Sequence, residues 1–276
     1  MIAIIPCAGR GTRRRPETNY KPKILLEYPN PPNPPCQGGM KGEPLIEHIA
    51  RPIDESGLFD KIVFVLSPRT GNQIIDYVRR NPFDTPHTYV WQHEPLGFGH
   101  AVLQARDEVF SFRRWNPPVL VHTDDAVNLH LREGASLIKQ ITSKETSTLG
   151  VQWREDVREH GMVVVGESEG ASHVPRANSP VTLEVKRLVE KPYWDEGGLC
   201  MTGIYFIRES RRLFRCLSRL VKSGRKLGGE YQFTHALQIM IDQGTPFQTY
   251  YHEWIDCGKD FNARAQRGKD AKEKIS

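Results

Sequence analysis

The sequence predicts an α/β fold, a mostly parallel mixed sheet with helices packed on its two faces. Three observations carry this. Strand-length apolar runs, such as IAIIP near the start, KIVFVL at 61–66 and PVLVHT at 118–123, alternate with stretches of helical period. The runs are continuous rather than alternating, as strands buried on both faces require. At 276 residues the chain is long enough to bury a large core.

The elements follow in order. Residues 1–6 read as the first buried strand and 61–66 as the second. A helix over 70–80 puts Ile74, Ile75 and Val78 on one face. Then come a strand at 88–92, a helix at 99–110, a strand at 118–123 and a helix at 131–143. Strands at 147–153, 162–166, 181–189 and 201–207 follow, with a strand-like run at 247–251 and helices at 230–242 and 259–272. The helix starting at Pro44 should kink or stop at Pro52, because proline removes a hydrogen bond of the helical ladder. Residues 30–42, NPPNPPCQGGMKG, have no apolar period and read as an inserted surface loop, either a lid over the site or a contact surface. The expected organisation is a single domain over 1–276 that carries this insertion. In such a sheet, chemistry collects in the loops after the strands.

Composition narrows the function classes. Lys plus Arg is 38 and Asp plus Glu is 33, a mild +5 that suits anionic small molecules without requiring nucleic acid. No apolar run nears the roughly 20 residues of a membrane span. The positive charges at the start follow the apolar stretch, the reverse of a signal peptide. Cys7, Cys36, Cys200, Cys216 and Cys257 are scattered with no CxxC, which fits reduced thiols and a cytoplasmic location.

Three local patterns suggest chemistry. Cys7-Ala8-Gly9-Arg10-Gly11-Thr12-Arg13 follows the first strand, and glycines there let backbone amides approach an anion. Neither GxGxxG nor GxxxxGK[ST] is present, so by itself this GxG also fits a tight turn with solvated arginines. Asp124 and Asp125 end PVLVHT, and Asp256 follows 247–251. Carboxylates so placed could hold a hard cation beside phosphate oxygens, though each could equally cap a neighbouring segment. His122 and His130 beside the acids are read as packed, not as transition-metal ligands.

Taken in order, the motifs resemble one family. Ile5–Arg13 with Pro16, Thr18, Pro22, Lys23, Leu25 and Leu26 resembles the N-terminal signature of sugar-1-phosphate nucleotidyltransferases, the nucleoside-diphosphate-sugar pyrophosphorylases. Pro44-Leu45-Ile46-Glu47, Gln92-His93-Glu94-Pro95-Leu96-Gly97-Phe98-Gly99-His100-Ala101-Val102, 119–125, Glu190-Lys191-Pro192, Gly229-Glu230-Tyr231-Gln232 and Asp256-Cys257-Gly258 continue the resemblance across nearly the whole chain. The variants most resemble the bacterial UTP–glucose-1-phosphate uridylyltransferases, with the dTTP-using enzymes next.

The resemblance implies a Rossmann-like sheet of the nucleotide-diphospho-sugar transferase type, and an enzyme that joins UTP or dTTP to a sugar 1-phosphate, with glucose 1-phosphate expected, releasing pyrophosphate. It implies catalytic roles for Arg13, Lys23 and Lys191, and nucleotide contacts from Ala8, Gly9, Gly11, Thr12, Gln92 and Gly97. Asp125, Gly161, Glu190 and Lys191 fall on the sugar-phosphate side, and Asp124 and Asp256 on a Mg²⁺ site. The expected partners are these small molecules, with no nucleic acid, no membrane and a possible homo-oligomer. Thr123, His160 and His235 depart from the family's usual Gly or Pro, Tyr and Asp. A side-chain amide at Gln92 suits uracil or thymine, and if flipped also cytosine. The rivals are a cytidylyltransferase acting on a non-sugar phosphate or phosphonate and an inactive sugar-nucleotide-sensing homologue. A nucleic-acid binder would need a basic face interleaved with aromatics, and the basic 259–274 segment is interrupted by Asp260, Asp270 and Glu273.

Overall fold

Ile2–Pro6 form β1, a strand buried along its whole length, and its alternate side chains feed two cores. Ile2 and Ile4 point into one, Ala3 and Ile5 into the other, as the two-residue period of a strand dictates. The computed structural model describes residues 1–28, 42–111, 115–124, 126–128, 133–166, 182–193 and 197–257, without the side chains of Arg13, Tyr28 and Asp256. The expected insertion at 30–42, apart from Gly42, lies outside the described residues, as do the helix at 259–272 and Asp125.

After β1 the chain forms two short strands, β2 (Glu27–Tyr28) and β3 (Glu43–Pro44), then α1 (Leu45–Ser56), β4 (Lys61–Leu66), α2 (Gly71–Arg80) and β5 (His87–Trp91). Next are α3 (Phe98–Gln104), α4 (Arg106–Phe110), β6 (Val119–His122), β7 (Ala126–Asn128), α5 (Gly134–Thr142), β8 (Ser147–Arg154) and β9 (Gly161–Val165). The last elements are β10 (Val185–Glu190), β11 (Gly198–Ile207), α6 (Ser210–Ser223), α7 (Phe233–Asp242), β12 (Phe247–Tyr251) and β13 (Trp254–Asp256).

Nine strands make one mixed sheet. Its parallel centre runs β6-β1-β4-β5. β11 then reverses direction, pairing β6 through Ile204–Ile207, β9 through Leu199 and Cys200, and β8 along its opposite edge. One core lies under α3, α6 and α7, and the other under α1, α2 and α5. Among the described residues no helix is long and apolar enough to cross a membrane.

The structure narrows one expectation, revises two and adds one element. Of the kink or stop expected at Pro52, the stop does not occur, since α1 continues to Ser56. Pro52 packs against the start of α5, where a Cβ on Gly134 would lie 2.7 Å from Pro52 Cγ, so tertiary packing offsets the lost hydrogen bond. The helix expected at 99–110 breaks at Ala105 into α3 and α4. The strand expected from 181 begins at Val185. α6 was not anticipated, although Leu213, Phe214, Leu217 and Leu220 form a helical stripe that is buried in the core. Each such side chain contributes about 1.5–3 kcal/mol of burial.

Candidate active site

The loop after β1 is held open by its own geometry. Gly11 sits at φ 61, and a Cβ there would lie 2.7 Å from Thr18 Cγ2. The Thr18 hydroxyl donates to the Gly11 carbonyl at 2.6 Å, so the turn requires glycine and closes on Thr18. A Cβ at Gly9 would meet nothing within 4 Å, which leaves that backbone approachable from the cavity side. Buried Arg14 donates to the Cys257 carbonyl at 3.4 Å and ties this loop to the end of β13.

Lys23 begins a short 3-10 turn after Pro22, and its Nζ lies 2.8 Å from Asp124 Oδ1. Asp124 follows β6, next to β1 in the sheet, so two adjacent parallel strands deliver the glycine loop and the carboxylate to the same end. Cys7 lies close by. Burial pushes its thiol up, Asp124 adds to that and Lys23 opposes it, so Cys7 is a neutral thiol. Asp256 pairs in backbone register with Ala126, two residues beyond Asp124.

The second wall is built from the β5–α3 loop. Gln92 is buried, and its Nε2 lies 3.1 Å from the Gly97 carbonyl and 3.0 Å from His100 Nδ1. A carbonyl only accepts, so Gly97 fixes the amide with its NH₂ inward, leaving Oε1 as its acceptor face. Burial pushes the His100 imidazole down, which keeps it neutral and able to accept from that amide. Gly97 has φ 101, and a Cβ there would lie 2.6 Å from Glu230 Cβ. The Tyr231 N–H donates to the Leu96 carbonyl and the Gly99 N–H to the Tyr231 carbonyl, both at 2.8 Å. Gly97 and the 229–232 motif therefore form one wall.

The far side carries Glu190, which Thr234 Oγ1 reaches at 2.6 Å. Burial pushes the Glu190 carboxyl up. The Thr234 hydrogen bond and Lys191 pull it back down, while Glu230 raises it. Lys191 follows at φ 48, a left-handed conformation rare for a side-chain-bearing residue, and its N–H donates to the His160 carbonyl at 3.0 Å. Gly161 opposes Glu190 in the β9–β10 register.

A 450 Å³ cavity joins these parts. Ala8, Gly9, Thr12, Lys23, Gln92, Gly97, Asp124, Gly161 and Glu190, all expected from the sequence, line it. Gly11 supports the loop from behind, and exposed Lys191 stands outside the lining. Asp125 and the side chains of Arg13 and Asp256 lie outside the described structure. Thr234, Trp254, Glu159 and Tyr205 also line the cavity and were not anticipated. The signal for Trp254 and Thr234 was their nearness to Asp256 and to the 229–232 motif. Thr123 Oγ1 and Trp254 Nε1 are buried at the cavity wall without a hydrogen-bond partner among the described residues. Of the remaining departures, His160 lines the cavity with its ring 5.9 Å from Trp254, and His235 lies on α7 outside it.

A glycine loop and a carboxylate at the ends of adjacent parallel strands, beside an amide-walled pocket, define an α/β protein of the nucleotide-handling class. The chain belongs to the nucleotidyl transferase family, whose pattern it matches over residues 2–263. It is 29% identical over 248 residues to the bifunctional protein GlmU of Methanococcus maripaludis strain S2, covering 88% of this chain and 48% of that protein. It thus spans about half the length of that relative. It is also 29% identical over 262 residues to the UTP–glucose-1-phosphate uridylyltransferase YngB of Bacillus subtilis strain 168, covering 86% of this chain and 77% of the relative. A UDP-glucose pyrophosphorylase solved with UDP-glucose superposes at a TM-score of 0.70 and 21% identity, over 96% of this chain and 98% of that one. That likeness shows the nucleotide-diphospho-sugar transferase fold.

Proposed function

We propose that the chain joins UTP or dTTP to a sugar 1-phosphate, with glucose 1-phosphate the expected acceptor, and releases pyrophosphate. The observation that supports this best is the single cavity, with glycine loop, Gln92–Gly97 wall and Lys23–Asp124 pair at one end and Glu190, Thr234 and Trp254 at the other. The acceptor phosphate oxygen attacks the α-phosphorus in line, the bond to the bridging oxygen breaks, and pyrophosphate leaves. No protein nucleophile is needed.

The amides of the Ala8–Thr12 loop, with Arg13 and Lys23, hold the triphosphate. Lys23 is placed to stabilise charge on the departing pyrophosphate. Gln92 Oε1 accepts from N3–H of uracil or thymine. Cytosine offers an acceptor at that atom, and turning the amide to meet it would break the bond to the Gly97 carbonyl. This disfavours the cytidylyltransferase reading. Glu190, held by Thr234, accepts from sugar hydroxyls, Gly161 lets the ring lie close, and Lys191 swings onto the acceptor phosphate.

Asp124 and Asp256 fit a hard divalent cation, Mg²⁺ in this reading. Both are oxygen donors, and the β13–β7 register brings Asp256 alongside the strand that follows Asp124. When bound there, the cation neutralises charge on the phosphate oxygens. The test is pyrophosphate release across a grid of nucleoside triphosphates and sugar 1-phosphates, with and without chelator. Release confined to a pyrimidine triphosphate with a hexose 1-phosphate supports the reading, and absence of release from every pair rejects it.

A further inference from the structure

α6 is a 14-residue helix that carries Arg211, Arg212, Arg215, Arg219 and Lys222 and no acidic residue. A solvated helix face ordinarily interleaves opposite charges three or four residues apart, because like charges at that spacing repel. Here only Arg212 is neutralised, by Glu209 at 3.2 Å. Arg211, Arg215, Arg219 and Lys222 have no carboxylate in ion-pair range among the described residues.

These four cations line a groove of about 1010 Å³ between α4 and α6. Its apolar wall is Phe110, Phe214 and Trp115, and Trp115 is 77% exposed. The Arg211 guanidinium lies 3.6 Å from the Trp115 ring centre and 5.0 Å from that of Phe110. No residue lines both this groove and the catalytic cavity. β11 runs antiparallel to β6, so α6 starts at the end of the sheet where the parallel strands begin, opposite Pro6 and Asp124.

The spacing selects the ligand. Arg211, Arg215 and Arg219 are four residues apart, which spaces their Cα atoms about 6 Å along the helix and lets their side chains present cations at a similar repeat. That matches the repeat of phosphates on an extended polynucleotide strand, whereas the phosphorus atoms of one triphosphate sit much closer together. Exposed Trp115 with a stacked arginine is a platform for a planar base. The groove is concave, and a flat bilayer would not reach its Phe110 and Phe214 wall. A basic face set against aromatics, which the C-terminal charge pattern does not provide, is formed by the α6 cations beside Phe110 of α4 and Trp115.

We propose that the α4–α6 groove binds single-stranded nucleic acid, about three nucleotides at a time and without sequence preference, independently of the catalytic cavity. The test is fluorescence anisotropy of a labelled single-stranded oligonucleotide of about 12 residues against the full chain. The competitors are a duplex of the same sequence, inorganic polyphosphate, and vesicles of phosphatidylcholine with phosphatidylserine. About three released phosphate contacts predict binding that weakens about 20-fold between 50 and 200 mM salt. The double variant Arg215→Gln/Arg219→Gln should bind at least tenfold more weakly with a shallower salt slope. Trp115→Ala should lose about tenfold with the slope unchanged. Both variants should keep wild-type melting temperature and wild-type pyrophosphate release. The proposal is overturned by absence of oligonucleotide binding, or by polyphosphate competing equally while Trp115→Ala binds normally. It is also overturned by vesicle binding that the arginine variant abolishes without any oligonucleotide binding. A dimer mass that falls to monomer in the arginine variant, again without oligonucleotide binding, would make this face an interface between copies of the chain.

Discussion

Lys23 Nζ lies 2.8 Å from Asp124 Oδ1, with both side chains nearly buried at the head of the catalytic cavity. The residue assigned to the triphosphate is therefore paired with the residue assigned to the cation. Removing one partner takes this ion pair away from the other nearly buried charge, a cost of up to about 3 kcal/mol when the survivor cannot reach water. Lys23→Met should cost close to that. Asp124→Asn should cost less, because the lysine stem can turn its ammonium toward the open cavity. The double variant should regain most of the stability. Turnover should fall at least about 100-fold in all three, since pairing can be restored by removing both charges but their roles cannot. Urea midpoints in chelator, with pyrophosphate release alongside, check this. A double variant no more stable than Lys23→Met would show the pair is not coupled.

Gln92 gives the second prediction. Its NH₂ is committed to the Gly97 carbonyl and His100, so base choice rests on Oε1. Gln92→Leu should lose about 1–3 kcal/mol of preference for UTP over ATP, one to two decades in kcat/KM. CTP should be a poor substrate of the unaltered chain. An unchanged UTP-to-ATP ratio in the variant, or efficient use of CTP by the unaltered chain, would reject the assignment.

The two halves of the site differ in how legible they were. The glycine loop and Asp124 were legible because each follows a strand-length apolar run and the ends of adjacent parallel strands converge, whereas Gln92 and Glu190 were legible only through the motifs that resemble the family. Thr234, Trp254 and Tyr205 were not, because they reach the cavity through the reversal of β11 and the docking of α7, and no local period encodes an antiparallel turn-back of that kind. Pro52 could be read as a helix breaker from the backbone alone, but its packing on Gly134 in α5 was not accessible locally. Gly11 was read as a ligand-facing residue, and its immediate role is the turn against Thr18. α6 was hidden by its arginines, although its leucines kept helical spacing.

Lys191 at φ 48 is a left-handed residue with a long side chain, the kind of strain that persists where function holds it. Glycine relieves such strain. Lys191→Gly should therefore be about 1 kcal/mol more stable than Lys191→Ala. Both should use sugar 1-phosphate poorly, with KM for the acceptor rising more than KM for the triphosphate. Equal melting temperatures for the two variants would remove the strain argument. A rise confined to the triphosphate KM would reverse the assignment of the ammonium.

His252 sets a pH dependence of folding. It is buried, with Nε2 2.6 Å from Thr202 Oγ1, and its imidazole is pushed down to about 3. Burial is the main cause, partly offset by a backbone hydrogen bond at Glu253, with His122 adding to the depression. Above about pH 6.5 neither the folded nor the unfolded state protonates it. Below that the unfolded chain takes up a proton that the folded state refuses, so stability falls as pH drops toward about 3, by up to about 1.4 kcal/mol per unit. From pH 6.5 to 5 this amounts to about 2 kcal/mol. His252→Gln should flatten the dependence by that amount in urea titrations. A slope equal to that of the unaltered chain would place the titration elsewhere.

Thr123 is accommodated by a glycine across the sheet. Gly203 lies at φ 90 in the irregular stretch of β11, and its carbonyl accepts from the Thr123 N–H at 2.9 Å. A Cβ at 203 would lie 2.2 Å from Thr123 Oγ1 and 2.9 Å from the Ala126 Cβ. Gly203→Ala therefore combines a strained backbone angle with overpacking, each about 1–3 kcal/mol. Thr123→Gly should be tolerated and should open the cavity wall. Combined with Gly203→Ala it should recover the part of the overpacking that Thr123 causes, but neither the close contact with the Ala126 Cβ nor the backbone strain, a coupling of about 1–3 kcal/mol. The same hydroxyl is buried at the wall with no partner among the described residues, so Thr123→Gly should also change the relative kcat/KM for different sugar 1-phosphates, while KM for the triphosphate stays within about twofold. Melting temperatures of the four chains measure the coupling, and a panel of sugar 1-phosphates measures the selectivity. Strict additivity of the two substitutions would mean that Thr123 and Gly203 do not share this space.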